Sequence, residues 1–396
     1  MKQVLIIAND LEIGGAEKAL LGLLETIDVS KVSIDLFLLK HSGQWLRYLP
    51  EKINLLPEIR QYTSMAVPVW TVIKKKCFGV LLGRTIGKIM AGKYIKTNGI
   101  TGINSVGVQY SFKYTKPFFP MISDKEYDVV IGFSTPFYIP IEKAKGKRKI
   151  TWIHTDYSKI AGDREEETDN WNKYDELIAV SDSVRDSFIS TYPDLDTPVS
   201  VIENIIPEQL IHYLSEQSYD EFSKDFINLL SIGRYTYAKN FDNVPEICSN
   251  ILKTGLKIRW YIIGYGAEEE KIKEKIRQFH MENNVILLGK IANPYPYIKK
   301  CDCYIQPSRF EGKSVSVQEA QMLGKPVIIT DYPTSANQLE NYYDGIIVPL
   351  ENAECSKRIA EILSDSDLLS RLSNNCKKNN YSHRSEVDKI YKIFET

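Results

Sequence analysis

The run Tyr304-Ile-Gln-Pro-Ser308-Arg-Phe-Glu311-Gly-Lys-Ser314-Val-Ser-Val-Gln-Glu319-Ala-Gln-Met-Leu323-Gly-Lys-Pro-Val327-Ile-Ile-Thr330 sets a polar loop and a helical pattern between two apolar segments. Tyr304 to Gln306 reads as a strand closed by Pro307, and Val327 to Thr330 as a second strand after the stop Gly324-Lys325-Pro326. Between them a tight loop enters a helix. Such a unit belongs to a parallel sheet, with the loop at the carboxyl end of the first strand and a helix N-terminus aimed at it. That arrangement suits an anion or a nucleotide. Two carboxylates frame it, Glu311 in the loop and Glu319 in the helix.

On spacing alone three readings of these residues stay open. Ser316 and Glu319 have the Ser-x-x-Glu spacing of a capping box, in which Glu319 bonds the backbone at the helix start. Gly312-Lys313-Ser314 looks like the end of a Walker A loop, but the first glycine of that loop falls on Pro307, which argues against it. The third reading is a paired-carboxylate site.

The same alternation continues upstream. Ile227 to Ile232 is a strand, followed by Gly233-Arg234, a loop to Lys239-Asn240 and a helix through about Leu252. Strand Arg259 to Ile263, turn Gly264-Tyr265-Gly266, helix Glu268 to Met281 and strand Val285 to Leu288 follow, and helices close the chain at Ala353 to Leu363 and Glu386 to Phe394. Strands and helices alternating at this spacing form a Rossmann-like sheet. Gly264-x-Gly266 lacks the third glycine of a dinucleotide fingerprint and serves equally as a turn. Arg234 and Lys239, near one strand end, are suited to clamping a diphosphate; a surface cation pair is the alternative.

The first half opens a second α/β domain. Val4 to Ala8 is a buried strand, Gly14-Gly15 a tight turn, Ala16 to Leu24 a helix and Ile34 to Leu39 a strand. Val129 to Phe133 and Lys149 to Trp152 are further strands, and alternation puts Trp152, His154 and Asp156 on one side at a carboxyl end, where sites form. A lone histidine there is more often a structural residue. Leu177 to Val180 leads into a helix capped by Ser181 or Asp182, and Val199 to Ile202 with Glu203-Asn204 reads as the last strand of this domain. The acidic run Asp163, Glu165, Glu166, Glu167 and Asp169 reads as a solvated helix face, and Asp194-Leu-Asp196 and Asp365-Ser-Asp367 as surface turns or caps.

From Ile59 to Ser123 no residue is acidic, while ten are basic, Lys74, Lys75, Lys76, Lys88, Lys93 and Lys96 among them. Apolar Trp70, Val72, Ile73, Phe78, Val80, Ile86 and Ile89 are interleaved with these cations. A basic, partly amphipathic helix or helical pair carrying Trp is what an anionic membrane surface attracts. The bland alternative is a domain helix with one basic, solvated face.

Composition sets the remaining bounds. The 396 residues suffice for two or three cores, and 50 basic against 51 acidic residues argue against a nucleic-acid-binding protein. The six cysteines form no Cys-x-x-Cys pair and read as free thiols of a reducing cytosol. Val4 to Ala8 is too short for the core of a signal peptide, and no run approaches the roughly 20 apolar residues of a membrane span, so a cytoplasmic chain is expected.

Taken together, Glu311-x7-Glu319 inside Pro-Ser-x-Phe-Glu-Gly and ahead of Glu-Ala-x-x-x-Gly-Lys-Pro-Val-Ile resembles the Glu-x7-Glu signature of retaining glycosyltransferases of family 4. Gly14-Gly-Ala-Glu17, Trp152-x-His-x-Asp156, Ala179-Val-Ser-Asp182 and Gly233-Arg…Lys239-Asn also fit that family's pattern. The resemblance implies the GT-B fold, with two Rossmann-like, doubly wound domains facing an interdomain cleft: residues 1–205 on the acceptor side, 206–380 for the nucleotide sugar, and a terminal helix, 381–396, packing back toward the first. It implies catalytic roles for Glu311 and His154, and donor binding by Gly233, Arg234, Lys239, Gly264, Gly312, Lys313, Ser314 and Glu319. Gly14 and Gly15 would form a cleft loop, and Asp156 and Asn204 complete the candidate set. Arg234 and Lys239 would hold the pyrophosphate, Glu319 the ribose hydroxyls and Glu311 the sugar. No metal or other cofactor is implied. Lys313 departs from the apolar residue often found after Glu-Gly in the family, which bears on the local sugar contacts.

The expected partners are a nucleotide-sugar donor, UDP-linked in first place, and a lipid-linked or glycan acceptor in capsule, exopolysaccharide or lipopolysaccharide assembly. Contact of segment 60–116 with an anionic membrane would put the enzyme at the inner face of the cell membrane. A GT-B sugar-nucleotide epimerase and a non-catalytic sugar-nucleotide-binding protein are the alternatives. The first needs no acceptor, and the second releases no nucleotide.

Overall fold

The computed structural model describes every residue except Ile13, Ala66, Thr135, Phe137, Asp220, Glu221, Gly312 and Thr396. The chain divides into two compact units, Met1–Pro207 with His383–Thr396, and Glu208–Ser382.

The first unit is built on a parallel sheet of seven strands: β1 (Lys2–Ala8), β2 (Val32–Leu38), β3 (Asn54–Leu55), β4 (Glu126–Gly132), β5 (Lys145–Ile153), β6 (Glu176–Ala179) and β7 (Val199–Val201). Their spatial order is β3-β2-β1-β4-β5-β6-β7. Val4 to Ala8 is a continuous apolar run because β1 pairs with β2 on one side and β4 on the other and is covered on both faces. The winding reverses between β1 and β4, and the Gly14-Gly15 loop leaves β1 at that point. The last helix, Val387–Glu395, belongs to this unit. It buries Ile390 and Phe394, Arg148 Nη1 donates to the carbonyl of Ile393 at 3.1 Å, and the Asp28 amide donates to the Tyr391 hydroxyl at 2.7 Å.

Segment 59–123 contains a helical pair, Phe78–Thr97 against Val106–Thr115. Gly83 and Gly87 set their close approach: a Cβ at either would come within 2.5 and 2.6 Å of the carbonyl oxygens of Tyr114 and Tyr110. Val72 and Val80 are core residues, so the apolar side chains of this segment divide between the interior and the surface.

The acidic run corrects the expectation of a solvated face. Helix Arg164–Trp171 is capped by Asp163, and Glu167 is fully buried, where it accepts from Ser105 Oγ at 3.2 Å, Tyr192 OH at 2.9 Å and the amide of Gln109. Tyr110 OH donates to Asp163 at 2.8 Å, and Lys113 pairs with Glu166. These acids are the anchor that ties the Val106–Thr115 helix to the unit. Burial pushes the Glu167 carboxyl up, and the bonds from Tyr192 and Arg164 pull against it.

The second unit carries six parallel strands: β8 (Ile227–Ile232), β9 (Ile258–Ile263), β10 (Val285–Gly289), β11 (Cys303–Gln306), β12 (Val327–Thr330) and β13 (Ile346–Val348). Their order is β10-β9-β8-β11-β12-β13, the doubly wound arrangement, reversing between β8 and β11. Its core includes Trp260, Ile262, Ile305, Ile328 and Ile346, and the one polar atom of Trp260 is satisfied by Ser231 Oγ at 2.8 Å.

Helix Val315–Met322 has Ser314 at its N-cap position, so Ser316 and Glu319 both lie inside the helix and the capping-box reading falls. Asp365 does cap the helix Ser366–Lys378, accepting from the Leu368 amide at 2.9 Å. All six cysteines are free and buried. Among the described residues no helix is long and apolar enough to cross a membrane.

Candidate functional site

In an open, doubly wound sheet the ligand crevice lies beyond the carboxyl ends of the two strands at the winding reversal. For the second unit these are β8 and β11, and the sequence after each carries charge: Gly233-Arg234…Lys239 after β8, Ser308-Arg309-Phe310-Glu311 after β11. Small residues let the loops converge. A Cβ at Gly264, at the end of β9, would sit 1.9 Å from the Gly233 carbonyl oxygen. One at Gly233 would meet the Lys239 side chain at 2.9 Å, so the lysine stem lies across that glycine. Asn240, at φ 59°, takes the left-handed conformation that ends the turn Tyr237–Lys239.

Arg309 staples the two loops. Its guanidinium forms two bonds to Asp242, at 2.9 and 3.1 Å, donates to the Tyr237 carbonyl at 2.7 Å and lies 4.2 Å over the Tyr237 ring. Burial alone would raise the Asp242 carboxyl, but bonds from Arg309 and Lys271 hold it below the usual range. Within this frame the Lys239 ammonium pairs with the Glu311 carboxylate, and both are mostly shielded from water. Ser308 Oγ donates to the same Glu311 oxygen at 2.6 Å. Behind it runs a buried relay in which Gln306 Nε2 donates to Ser308 Oγ and Tyr304 OH donates to Gln306 Oε1, each at 2.9 Å. Glu311 is therefore held in one orientation from two sides.

Arg234 differs from its neighbours. It is exposed, and among the described residues it makes no hydrogen bond or ion pair. A cation left without an anion, on the same loop as the lysine of a fixed Lys–Glu pair, suits an incoming diphosphate. Ser314 is buried, its amide donating to Gln338 Oε1 at 2.6 Å, and Lys313 is half-buried. Gly312 lies outside the described residues. Glu319 is 1% exposed, and its Oε1 accepts from Tyr295 OH at 2.9 Å. Among the described residues no group of three or more His, Cys, Asp or Glu side chains is arranged to hold a metal.

In the first unit His154 follows β5 with its ring 4.8 Å from that of Phe133, which also contacts Trp152 at 5.1 Å. Trp152 and His154 thus share one side, as strand alternation requires. Both ring nitrogens of His154 are buried with no hydrogen-bond partner among the described residues, and burial lowers its pKa to about 4. It is a neutral imidazole with unmet hydrogen-bonding capacity. Asn204 Oδ1 is likewise buried without a partner among the described residues. Asp156 is instead engaged, accepting from Ser158 Oγ and Ser187 Oγ, both at 2.6 Å; it braces the loop after β5. Gly14 is the N-cap of helix Gly15–Thr26, and a Cβ there would meet the Glu17 carboxylate at 2.0 Å. Burial raises the Glu17 pKa, its own backbone amide opposes this, and Asp10 and Glu12 add to the rise.

The structure therefore gathers Gly233, Arg234, Lys239, Gly264, Glu311 and Ser314 at the loop ends of one sheet, with Glu319 in the helix that follows, while Gly14, Gly15, His154, Asp156 and Asn204 belong to the other unit. Arg309, Asp242 and Tyr295 bond to these residues or their loops and are not singled out by sequence, and Ser308, part of the Pro-Ser-x-Phe-Glu-Gly motif, is given no role there. Arg309 and Asp242 are 67 residues apart, so no local spacing reveals the pair.

Two Rossmann-like units, each built on a doubly wound parallel sheet, define a fold of the GT-B kind. Comparison with known proteins agrees. The family model "Glycosyl transferases group 1" matches residues 216–380, nearly the whole second unit and under half of the chain. An uncharacterized glycosyltransferase of Methanocaldococcus jannaschii is 28% identical over 172 residues, 42% of each chain. The N-acetylgalactosamine-N,N'-diacetylbacillosaminyl-diphospho-undecaprenol 4-alpha-N-acetylgalactosaminyltransferase of Campylobacter jejuni is 29% identical over 148 residues, 37% of this chain and 40% of that one. The match thus spans less than half the length of these relatives. The crystal structure of a Staphylococcus aureus TarM point mutant in complex with fondaparinux, alpha-GlcNAc-glycerol and UDP covers 100% of both chains with TM-score 0.68 and 14% identity, a likeness of fold.

Proposed function

We propose that this protein is a retaining, metal-independent glycosyltransferase that moves a sugar from a UDP-sugar to a lipid-linked or polysaccharide acceptor in cell-surface glycan assembly. The observation that carries the reading is the charge arrangement at the β8/β11 switch point, where the loop after β8 carries both Arg234, without a hydrogen bond or ion pair among the described residues, and Lys239, paired with Glu311. When the bond between the sugar C1 and the β-phosphate oxygen breaks, negative charge grows on the diphosphate, and fixed cations stabilise it without reorganisation. Arg234 would grip the diphosphate in bidentate fashion, and Lys239 would bridge it to Glu311. Glu311, braced by Ser308, would orient sugar hydroxyls, and Glu319 would take the ribose. The acceptor oxygen bonds C1 on the face the nucleotide leaves, and its proton passes to the departing phosphate oxygen. His154, neutral and with no hydrogen-bond partner among the described residues, supports a role as a hydrogen-bonding group for a sugar hydroxyl.

The UDP in the TarM crystal supports the choice of nucleotide, and the diphospho-undecaprenol in the name of the Campylobacter relative supports a lipid-linked acceptor. The basic segment 60–116 supports contact with an anionic membrane, hence a place at the cytoplasmic face. The test is a panel of UDP-, GDP- and dTDP-sugars scored for nucleotide release with and without membrane extract. Release of UDP that rises with extract is expected, with a product whose anomeric configuration matches the donor. Wild-type rates in both Arg234→Ala and Glu311→Ala would refute the site.

A further inference from the structure

Helix Phe78–Thr97 presents two different faces. Gly79, Gly83, Gly87 and Ala91 recur every fourth residue and line the side turned to the Val106–Thr115 helix and the Phe118 ring. Phe78, Leu82, Ile86 and Ile89, at steps of four, four and three, form a separate stripe. Phe78 is 62% exposed, Leu82 54% and Ile89 64%, and Trp70 and Ile73 of the preceding helix, Val69–Lys74, are exposed as well. Nothing among the described residues covers the stripe, and four exposed apolar side chains on one face of a single helix are more than scattered surface apolarity.

The surrounding charge identifies its occupant. Exposed Lys74 and Lys76 stand at the start of the stripe, and Lys93 and Lys96 continue the same helical face beyond Ile89. No acidic residue occurs between Ile59 and Ser123, and the nearby acids Asp163, Glu166 and Glu167 are engaged with the neighbouring helix. An apolar band bracketed by lysines matches the headgroup boundary of an anionic bilayer. Against a second copy of the chain the same face would set lysine against lysine.

We infer that the Phe78–Leu82–Ile86–Ile89 stripe, with Trp70, is the membrane-inserting face of this protein, its lysines selecting anionic lipid. This deepens the membrane contact proposed above and rests on that reading, not on the sugar-transfer chemistry. Trp70 is a native probe: it is 66% exposed, whereas Trp45, Trp152, Trp171 and Trp260 are buried.

The experiment is flotation of the full chain with vesicles of phosphatidylcholine containing about one third phosphatidylglycerol, and with phosphatidylcholine alone, followed by tryptophan emission. Wild type is expected to float with the anionic vesicles and shift its emission to the blue, and Trp70→Phe to lose the shift. Leu82→Asp with Ile89→Asp should weaken binding about tenfold or more while the melting temperature holds. Lys93→Glu with Lys96→Glu should remove the preference for anionic lipid. If wild type floats and the Leu82/Ile89 variant floats equally, the stripe assignment is overturned while membrane contact stands. If wild type fails to float, or instead elutes as a dimer or with an acidic protein partner, both are overturned.

Discussion

Replacing Lys239 by methionine tests whether the charges at the switch point are coupled. The side chains of Lys239 and Glu311 are 18% and 12% exposed, so the substitution leaves a mostly buried carboxylate with Ser308 Oγ as its one remaining side-chain partner among the described residues. Removing one member of a fully buried pair costs about 3–5 kcal/mol. The residual exposure of both groups admits some water, and about 2 kcal/mol is the expected loss here. For a unit of this size that lowers the melting temperature by about 4–8 °C. Adding Glu311→Gln removes the stranded charge and should recover most of the loss, giving a coupling of about 1–3 kcal/mol in the double-mutant cycle. Donor turnover should stay absent in both singles and in the double, since each lacks a group the proposed reaction uses. Thermal unfolding of the four proteins, with nucleotide release measured in parallel, decides the matter. Additive penalties, or a Lys239→Met protein that melts like wild type, would refute the coupled-site reasoning.

Away from the switch point, His154 carries a pKa lowered to about 4 from 6.5 by burial. Below pH 6.5 the unfolded chain therefore takes up a proton that the folded chain refuses until about pH 4, and stability is lost as pH falls through that window by about 3 kcal/mol. His154→Phe, which keeps a ring against Phe133, should flatten the melting-temperature profile between those limits; an unchanged slope would mean that other groups set it. Gly264→Ala places a Cβ 1.9 Å from the Gly233 carbonyl, which forces the β8 and β9 loops apart. About 3 kcal/mol of destabilisation and at least tenfold weaker nucleotide binding are expected by calorimetry, and near-neutral behaviour would show that the loops do not need this contact.

Most of the strand and helix order was legible because period-two and continuous apolar runs are local, and β8 to β12 are read from such runs; the short strands β3 (Asn54–Leu55) and β13 (Ile346–Val348) are not. The loop ends that carry Arg234, Lys239 and Glu311 were legible for the same reason, since parallel α/β topology sends them to one edge of the sheet. What failed were readings that took spacing for contact. Ser316-x-x-Glu319 has the spacing of a capping box, yet the helix begins at Val315, and Glu319 turns to Tyr295. The run from Asp163 to Asp169 looks like a solvated face by charge, yet Glu167 is buried because Ser105, Gln109 and Tyr192 converge on it from other elements. Asp156 shares a face with His154 by alternation but is engaged by Ser187, 31 residues on. The Arg309–Asp242 staple and the Ser308 relay depend on tertiary proximity, which no local pattern encodes.

The central claim is that Arg234 and Lys239 at the β8/β11 reversal form the pyrophosphate grip of a UDP-sugar site. Its most direct test is calorimetric titration of UDP, without metal, into the wild type, Arg234→Ala and Lys93→Ala, the last a control that removes another exposed cation, outside the site. The account predicts saturable binding by the wild type, a loss of about tenfold or more in Arg234→Ala, consistent with a bidentate charge-assisted contact, and no change in Lys93→Ala. Equal UDP affinity in all three proteins would contradict it.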